Sequence, residues 1–467
     1  MDDTKGRSAK KKVREPGSLD QFHLFNEAGK ITGVYDYEIF SYLMRENDMF
    51  VLGGVPYVYE GGYFKADTSG AILSSMIRNC IYPKFIKSST IKRVFDLFIR
   101  AVELQVSYSD LNAYPEHWVN FQNGFYDPIT QRMIPHDPRY KAINQVQMPF
   151  NPADKPNGAF MEEWLRFAIE QPDNREMFLQ FCGYCMTRDT RQQKFLVLLG
   201  EGGTGKSTAI RLPETIIGEE NVSNISLVEL TQRFSAYGIL GKLLNSCADL
   251  EVTALEDTSI IKKILGEDTI RAEAKGKDAF SFHSYAKLIF STNELPIVKG
   301  ERTNGFYRRL LVLPMEKVPK QQRADLFDRL TEELPFFLHL CMDALTRMYQ
   351  AGHITDSEQS KDAVERLRMD SDTVQAFIID KVFESPEEKI ERGLLFAKYS
   401  SYCAETERQP LNRNGFYRAM RFKGYREIKT NGDRFFQGIS LSKTALKTAP
   451  ETALTGGYIE VDEEMPF

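Results

Sequence analysis

The sequence predicts an α/β protein built on a phosphate-binding P-loop core, with an α+β region before the core and a small winged-helix module after it. Three observations carry this. Residues 200–207 read GEGGTGKS, a G-x-x-x-x-G-K-[ST] loop entered from the apolar run KFLVLL. From residue 196 to 318 short apolar strands alternate with helical stretches, the pattern of an α/β nucleotide-binding domain. From 370 to 442 three helical stretches precede YREIKT-NG-DRFFQGISL, two strands about an Asn431-Gly432 turn. Three helices followed by a hairpin is the layout of a winged helix.

The 467 residues suffice for several domains with sizeable cores, and 42% apolar with 27% charged residues is ordinary for a globular chain. Apolar runs such as FLVLL are too short to cross a bilayer, so no membrane partner is expected. The charged start MDDTKGRSAKKKVRE lacks an apolar segment, and no secretory signal is expected. Cys182 and Cys185 form a lone C-x-x-C on an apolar helix, which predicts a buried structural role and a reducing, cytoplasmic setting. The net charge of -5 is unevenly spread: residues 408–447 hold ten Lys/Arg against Glu427 and Asp433, whereas the end GGYIEVDEEMPF is acidic. A local basic module in an acidic chain can still steer toward nucleic acid.

These shifts divide the chain into a basic tail (1–18), an α+β domain (19–150), a helical collar (151–194), the P-loop core (195–350), a polar connector (351–369), the winged-helix module (370–445) and an acidic tail (446–467). IFSYLMREN and SSTIKRVFDLFIRAVELQ have helical periodicity; VPYVYEGGYFKAD and VNFQNGFYDPITQRMI read as hairpins.

In the P-loop, Gly200, Glu201, Gly202, Gly203, Thr204, Gly205, Lys206, Ser207 and Thr208 form the nucleotide cradle. Its glycines let backbone amides wrap phosphates, Lys206 reaches the β- and γ-phosphates of ATP, and Ser207 ligates Mg²⁺. Pro213, eight residues into the following helix, is expected to end or kink it. GKLLNSCADLE supplies a candidate acidic partner: Asp249 reads as the magnesium-side carboxylate and Glu251, on the same face of a strand, as the candidate base for attacking water, or the two are an ordinary solvated strand end. AKLIFSTNELP ends a further strand in Asn293, an amide able to orient water and sense the γ-phosphate, or a plain turn former before Pro296. In GFYRRLLVLPM, Arg308 or Arg309 can reach a neighbouring subunit's ATP, or pair with an acid beside the strand. TIRAEA and AFSFHS flank a tip carrying Lys275 and Lys277. There the lysines contact strand phosphates and Phe280, Phe282 or His283 stack on bases, or the tip is a solvated turn over packed aromatics.

This order of motifs resembles the superfamily 3 helicases, a branch of the AAA+ ATPases, and most closely the phage, plasmid and poxvirus-type primase–helicase group. GEGGTGKST, GKLLNSCADLE, GEDTIRAEAKGKDAF, YAKLIFSTNELP and GFYRRLLVLP carry the resemblance; NFQNGFYD, FCGYCMT and the DSDTVQAFI to FFQGI module extend it over residues 50–442. It implies a homo-hexameric ring that binds ATP and Mg²⁺ between subunits and moves 3′ to 5′ on single-stranded and forked DNA in the cytoplasm of a bacterial host. It supports Lys206 and Ser207 on the nucleotide, Asp249 as acid, Asn293 as sensor, and Lys275 and Lys277 on a DNA-tracking hairpin. It leaves Arg308 and Arg309 undivided. The D-L-E spacing departs from the adjacent acids of many relatives and leaves Glu251 open.

Relatives that make primers need clustered aspartates on a strand with a histidine. No D-x-D strand precedes residue 150, and His117 and His136 lie in turn-like surroundings, so primase activity is not expected. Arg413, Arg418, Arg421 and Lys423 on the third helix, with Lys429 and Arg434 about the turn, predict DNA binding by the winged helix; a protein contact is the alternative. The tail DEEMPF resembles the acidic tip of bacterial single-stranded-DNA-binding proteins, implying host replication proteins as partners, or it shields the basic module. Against the helicase stand an ATP-switched initiator or helicase loader, and a P-loop enzyme unrelated to nucleic acid.

Overall fold

The computed structural model describes residues 18–232, 235–248, 258–266, 268–272, 280–298, 304–321, 323–406 and 408–441. By internal contacts it falls into two units, one ending at Val364 and the other beginning at Glu365.

The first unit opens with a two-stranded hairpin, β1 (His23–Phe25) and β2 (Ile31–Val34), and helix α1 (Asp36–Glu46). A meander follows of β3 (Met49–Leu52), β4 (Val55–Glu60) and β5 (Tyr63–Ala66), then helices α2 (Ala71–Asn79) and α3 (Ser88–Arg100). Ile39, Leu73, Ile77, Val94 and Phe98 pack the three helices on one another. Asp67 caps α2, its two oxygens accepting from the amides of Ile72 (3.1 Å) and Leu73 (2.8 Å). A second meander joins β6 (Val119–Phe121), β7 (Gly124–Asp127) and β8 (Arg132–Ile134). The two histidines here serve that packing: His136 Nε2 lies 2.9 Å from both Asn120 Oδ1 and the Phe121 carbonyl, and His117 lies 3.4 Å from Asp127.

Helices α4 (Ala159–Ala168) and α5 (Pro172–Cys185) lead into the central sheet. Pro172 at the first position and Asp173 in the first turn suit the start of α5. In chain order follow β9 (Phe195–Leu199), α6 (Lys206–Ile217), β10 (Val222–Ser223), β11 (Leu244–Cys247), α7 (Ser259–Leu265), β12 (Thr269–Ala272), β13 (Phe280–His283), β14 (Lys287–Thr292) and β15 (Leu310–Pro314). Strands β10-β11-β14-β9-β15 form, in that order, a parallel sheet; β12 and β13 pair apart as an antiparallel hairpin. Burial on both faces explains why FLVLL and LLVL are unbroken apolar runs rather than alternating ones. Pro213 does not end α6: the helix continues one more turn to Ile217, and Gly218 (φ +86°) closes it. The proline ring is buried, so packing holds the segment helical across the missing amide bond.

Helices α8 (Leu326–Glu332) and α9 (Leu334–Ala351) follow, and α10 (Glu358–Ser371) runs through the division between the two units, so much of the expected connector is helical. Cys182 and Cys185 are fully buried in the main core with Cys341 of α9, and burial pushes both α5 thiols up. Gly183 lets α5 approach α9, because a Cβ there would lie 2.6 Å from the Cys341 carbonyl oxygen and 2.9 Å from Leu345 Cβ. Gly183→Ala is therefore expected to lower unfolding stability by about 1–3 kcal/mol, measured as a fall in the urea midpoint at unchanged slope.

Lys287 opens β14 deep inside the fold. Its Nζ donates to the carbonyls of Thr187 (2.6 Å) and Tyr285 (3.0 Å) and lies 4.6 Å from the centre of the Tyr184 ring. Burial pushes its pKa down to about 7 from 10.5, against the opposing pull of Cys185 and Asp189. Between those two values the unfolded chain holds the extra proton, so this lysine's destabilising contribution is complete below pH 7 and is relieved as pH rises toward 10.5. The stability of Lys287→Met relative to wild type is thus expected to fall by roughly 2–5 kcal/mol between pH 6 and pH 10. A difference in chemical unfolding that does not vary with pH would contradict it.

The second unit contains α11 (Thr373–Lys381), β16 (Phe383–Glu391), α12 (Arg392–Glu405), α13 (Arg413–Phe422), β17 (Glu427–Thr430) and β18 (Asp433–Ser440). Its strands pair antiparallel in the order β16-β18-β17. Asn431 (φ +53°) and Gly432 (φ +94°) make the tight turn that N-G predicts. Phe377, Leu395, Tyr399, Phe416 and Phe436 pack helices and sheet together.

Candidate functional site

The P-loop lies where β9 ends and α6 begins, between the ends of β14 and β15. Gly203 (φ +85°) and Gly205 (φ +93°) take left-handed backbone that glycine adopts without strain. A Cβ on Gly200 would lie 2.0 Å from the Met315 carbonyl oxygen, so the loop also presses against the end of β15. Lys206, 9% exposed, donates through Nζ to the carbonyls of Gly200 (2.6 Å) and Glu201 (2.9 Å) and to Asn293 Oδ1 (3.0 Å). Sequence-distant Lys206 and Asn293 meet because β14 is the direct neighbour of β9.

A cavity of about 510 Å³ opens over this loop, within the range of small-ligand sites. Gly202 through Thr208 form its floor, and Ala248, Ser291 and Asn293 one wall. The Ser291 hydroxyl bonds the Ala248 carbonyl, tying the end of β11 to β14. Asp249, the next residue, and Glu251 lie outside the described residues. The donor set suits a phosphate chain: a lysine cation, loop amides freed by positive-φ glycines, and the N-terminus of the twelve-residue helix α6. Ser207 is exposed at the cavity and offers its hydroxyl to a metal. Among the described residues no group of three or more His, Cys, Asp or Glu is placed to hold one.

A further part of the cavity has no counterpart among the sequence motifs. Trp164, Phe167 and Ala168 of α4 line it, with Pro319, Gln321, Arg323 and Leu326 from the approach to α8. Their helical spacing signals an amphipathic helix, and nothing local says which cavity that helix faces.

The structure distinguishes the paired arginines. Arg309 is buried, donating to the Gly305 carbonyl (2.5 Å) and Gln193 Oε1 (2.9 Å). Arg308 is exposed and reaches the same Gln193 oxygen at 3.3 Å. The lysine-bearing tip, with Lys275 and Lys277, lies outside the described residues. At the hairpin base Phe282 is buried, and Phe280 stacks on Tyr108 with ring centres 5.2 Å apart and planes 2° apart. Both rings therefore serve packing rather than standing free for bases, while His283 is exposed.

In the second unit the basic residues divide as well. The Glu427 carboxylate takes Arg392 (3.1 Å), Arg421 and Arg434 (3.5 Å) together. Burial would raise its pKa, but hydrogen bonds from Arg421 and Arg392 outweigh that and hold it low. Lys423 bonds Asp372 (2.6 Å) and Gln375 (2.8 Å), joining α13 to α11. Arg413 lies over the Phe396 ring at 5.4 Å. Arg418 and Lys429 are exposed and make no ion pair among the described residues. No helix among the described residues is long and apolar enough to cross a membrane.

Comparison with known proteins bears on both halves of the first unit. Residues 44–170 match the D5 N terminal like family model. Ahead of its P-loop the chain is thus similar to that family over about a quarter of its length. After this D5-like stretch, residues 198–309, which hold the P-loop, Asn293 and both arginines, match a family of unknown function, DUF5906. A putative helicase of Acanthamoeba polyphaga mimivirus, L207/L206, is 30% identical over 154 residues. That match covers 31% of this chain and only 16% of the relative. The fold is shared with the apo structure of the NrS-1 C-terminal region: TM-score 0.51 at 12% identity, over 86% of this chain and 98% of that one. A second apo structure of the same region gives 0.50 over the same shares.

Proposed function

We propose that this chain is an ATP-dependent DNA helicase of a phage, plasmid or other mobile element's replication system. The contact that carries the reading is Lys206 Nζ to Asn293 Oδ1 at 3.0 Å, where a phosphate-binding lysine and a polar strand end meet in one cavity. The D5-like stretch and the likeness to a putative viral helicase support DNA as the object of the work. In this reading the loop amides and Lys206 hold the ATP phosphates, and Ser207 with Asp249 holds Mg²⁺, which neutralises phosphate charge. Asn293 orients water, with Glu251 as its base.

The protein works as a homo-hexameric AAA+ ring of the superfamily 3 type, moving 3′ to 5′ as the resemblance implies. Arg308, exposed where Arg309 is buried, is the arginine offered to the next subunit's ATP. Lys275 and Lys277 grip the tracked strand. The C-terminal unit acts as a winged helix, with Arg413, Arg418 and Lys429 toward DNA. Arg421, Arg434 and Lys423 mainly hold it together through Glu427 and Asp372.

Lys275→Ala combined with Lys277→Ala tests the motor. Unwinding of forked DNA is expected to fall at least about 10-fold, since two phosphate contacts per subunit are lost, while ATP binding and assembly persist. Unwinding unchanged in this variant refutes the tracking hairpin and favours the second reading, an ATP-switched initiator or helicase loader.

A further inference from the structure

The cavity over the P-loop does not stop where phosphates would. Its lining also takes in Trp164, Phe167 and Ala168 on α4 and Pro319, Gln321, Arg323 and Leu326 from the approach to α8. These three α4 residues fall at i, i+3 and i+4, one stripe of the helix. The Trp164 ring packs on the loop itself: a Cβ on Gly205 would lie 3.7 Å from Trp164 Cζ2. Trp164 is nearly buried, whereas Phe167 is 38% exposed, an aromatic face open at the cavity. Two contacts fix the helix in place. Glu333 accepts from the amides of Met161 (2.6 Å) and Phe160 (3.4 Å), and a Cβ on Gly158 would collide with the Phe336 ring at 1.9 Å.

Apart from Gln321 and Arg323 this lining is apolar and aromatic, and such surface has no use for a triphosphate, which wants amides and cations. It suits the flat, weakly hydrated base at the other end of a nucleotide. We propose that this part of the cavity is a slot for the base: Phe167 and Trp164 hold a purine by stacking and apolar contact, with Pro319 and Leu326 completing the lining. The inference rests on the reading of residues 200–208 as the phosphate cradle. It makes α4, ahead of the core, a part of the nucleotide site and a direct reporter of its occupancy. Because the wall offers contact area rather than many hydrogen bonds, ATP and GTP bind comparably and both outcompete CTP and UTP.

The test uses fluorescence, since the chain has two tryptophans and Trp118→Phe leaves Trp164 alone. In that background ATP with Mg²⁺ is expected to change Trp164 emission. Inorganic tripolyphosphate is expected to compete with ATP while leaving the emission unchanged. Adding Phe167→Ala, at a partly exposed position, should weaken ATP about 10- to 100-fold and tripolyphosphate hardly at all, the loss of one stacking contact. ATP that binds by calorimetry without altering Trp164, a tripolyphosphate response equal to that of ATP, or equal weakening of both ligands by Phe167→Ala overturns the base slot and leaves the cradle standing. Failure of both ATP and tripolyphosphate to bind overturns the cradle itself.

Discussion

Lys206→Ala is expected to reduce ATP hydrolysis about 10²–10³-fold or more and to abolish unwinding, because it removes the cation aimed at the transferred phosphoryl group. The substitution should cost little stability. Lys206 Nζ contacts the Gly200 and Glu201 carbonyls and Asn293 Oδ1 at the floor of an open cavity, where water can replace the ammonium. A thermal midpoint close to wild type, with phosphate release near zero in the presence of forked DNA, is the expected pair of results. Binding to duplex DNA should persist, since the basic residues of the second unit are untouched. Hydrolysis within about threefold of wild type would remove the cavity from the mechanism.

The second large effect separates two adjacent residues. Arg308→Ala is expected to lower hydrolysis in the assembled protein about 10³-fold, the scale of an arginine that meets transition-state charge in trans, and to leave the unfolding midpoint unchanged. Arg309→Ala should instead destabilise the protein by about 1–3 kcal/mol, because it empties a buried position bonded to Gly305 and Gln193. Mixing decides whether Arg308 works across a subunit boundary. Lys206→Ala subunits keep the arginine and Arg308→Ala subunits keep the cradle, so mixed assemblies should regain part of the activity that neither shows alone. No recovery on mixing, with Arg308→Ala active by itself, would return Arg308 to a local role.

Much of the site was legible because its chemistry is written in short runs. The P-loop needs glycines at positive φ and a lysine at the helix start, and Gly203, Gly205 and Lys206 occupy those places. The Asn431-Gly432 turn was equally local. Pro213 does not end α6, because tertiary packing outweighs one missing backbone bond. Strand β16 went unseen because FESPEEKIE, acidic and interrupted by proline, reads as a linker. It is an edge strand whose pairing shifts between Glu384 and Lys389, where an interruption by proline is tolerated. Arg421, Lys423 and Arg434 read as a DNA face from charge density alone. Glu427 and Asp372, which engage them, carry no signal of that pairing in the sequence.

By itself the sequence determined the glycine-rich loop between strand and helix, the buried cysteine helix and the N-G hairpin. Each depends on residues close together in the chain, where backbone geometry and periodicity act directly. Only the tertiary structure decided that Asn293 touches Lys206 and that Arg309 rather than Arg308 is buried. It alone turned Trp164 and Phe167 toward the phosphate loop. The reason is physical: strand order in a parallel sheet and the landing of a helix on it are set by collective burial, and burial assigns different roles to neighbours of identical chemistry.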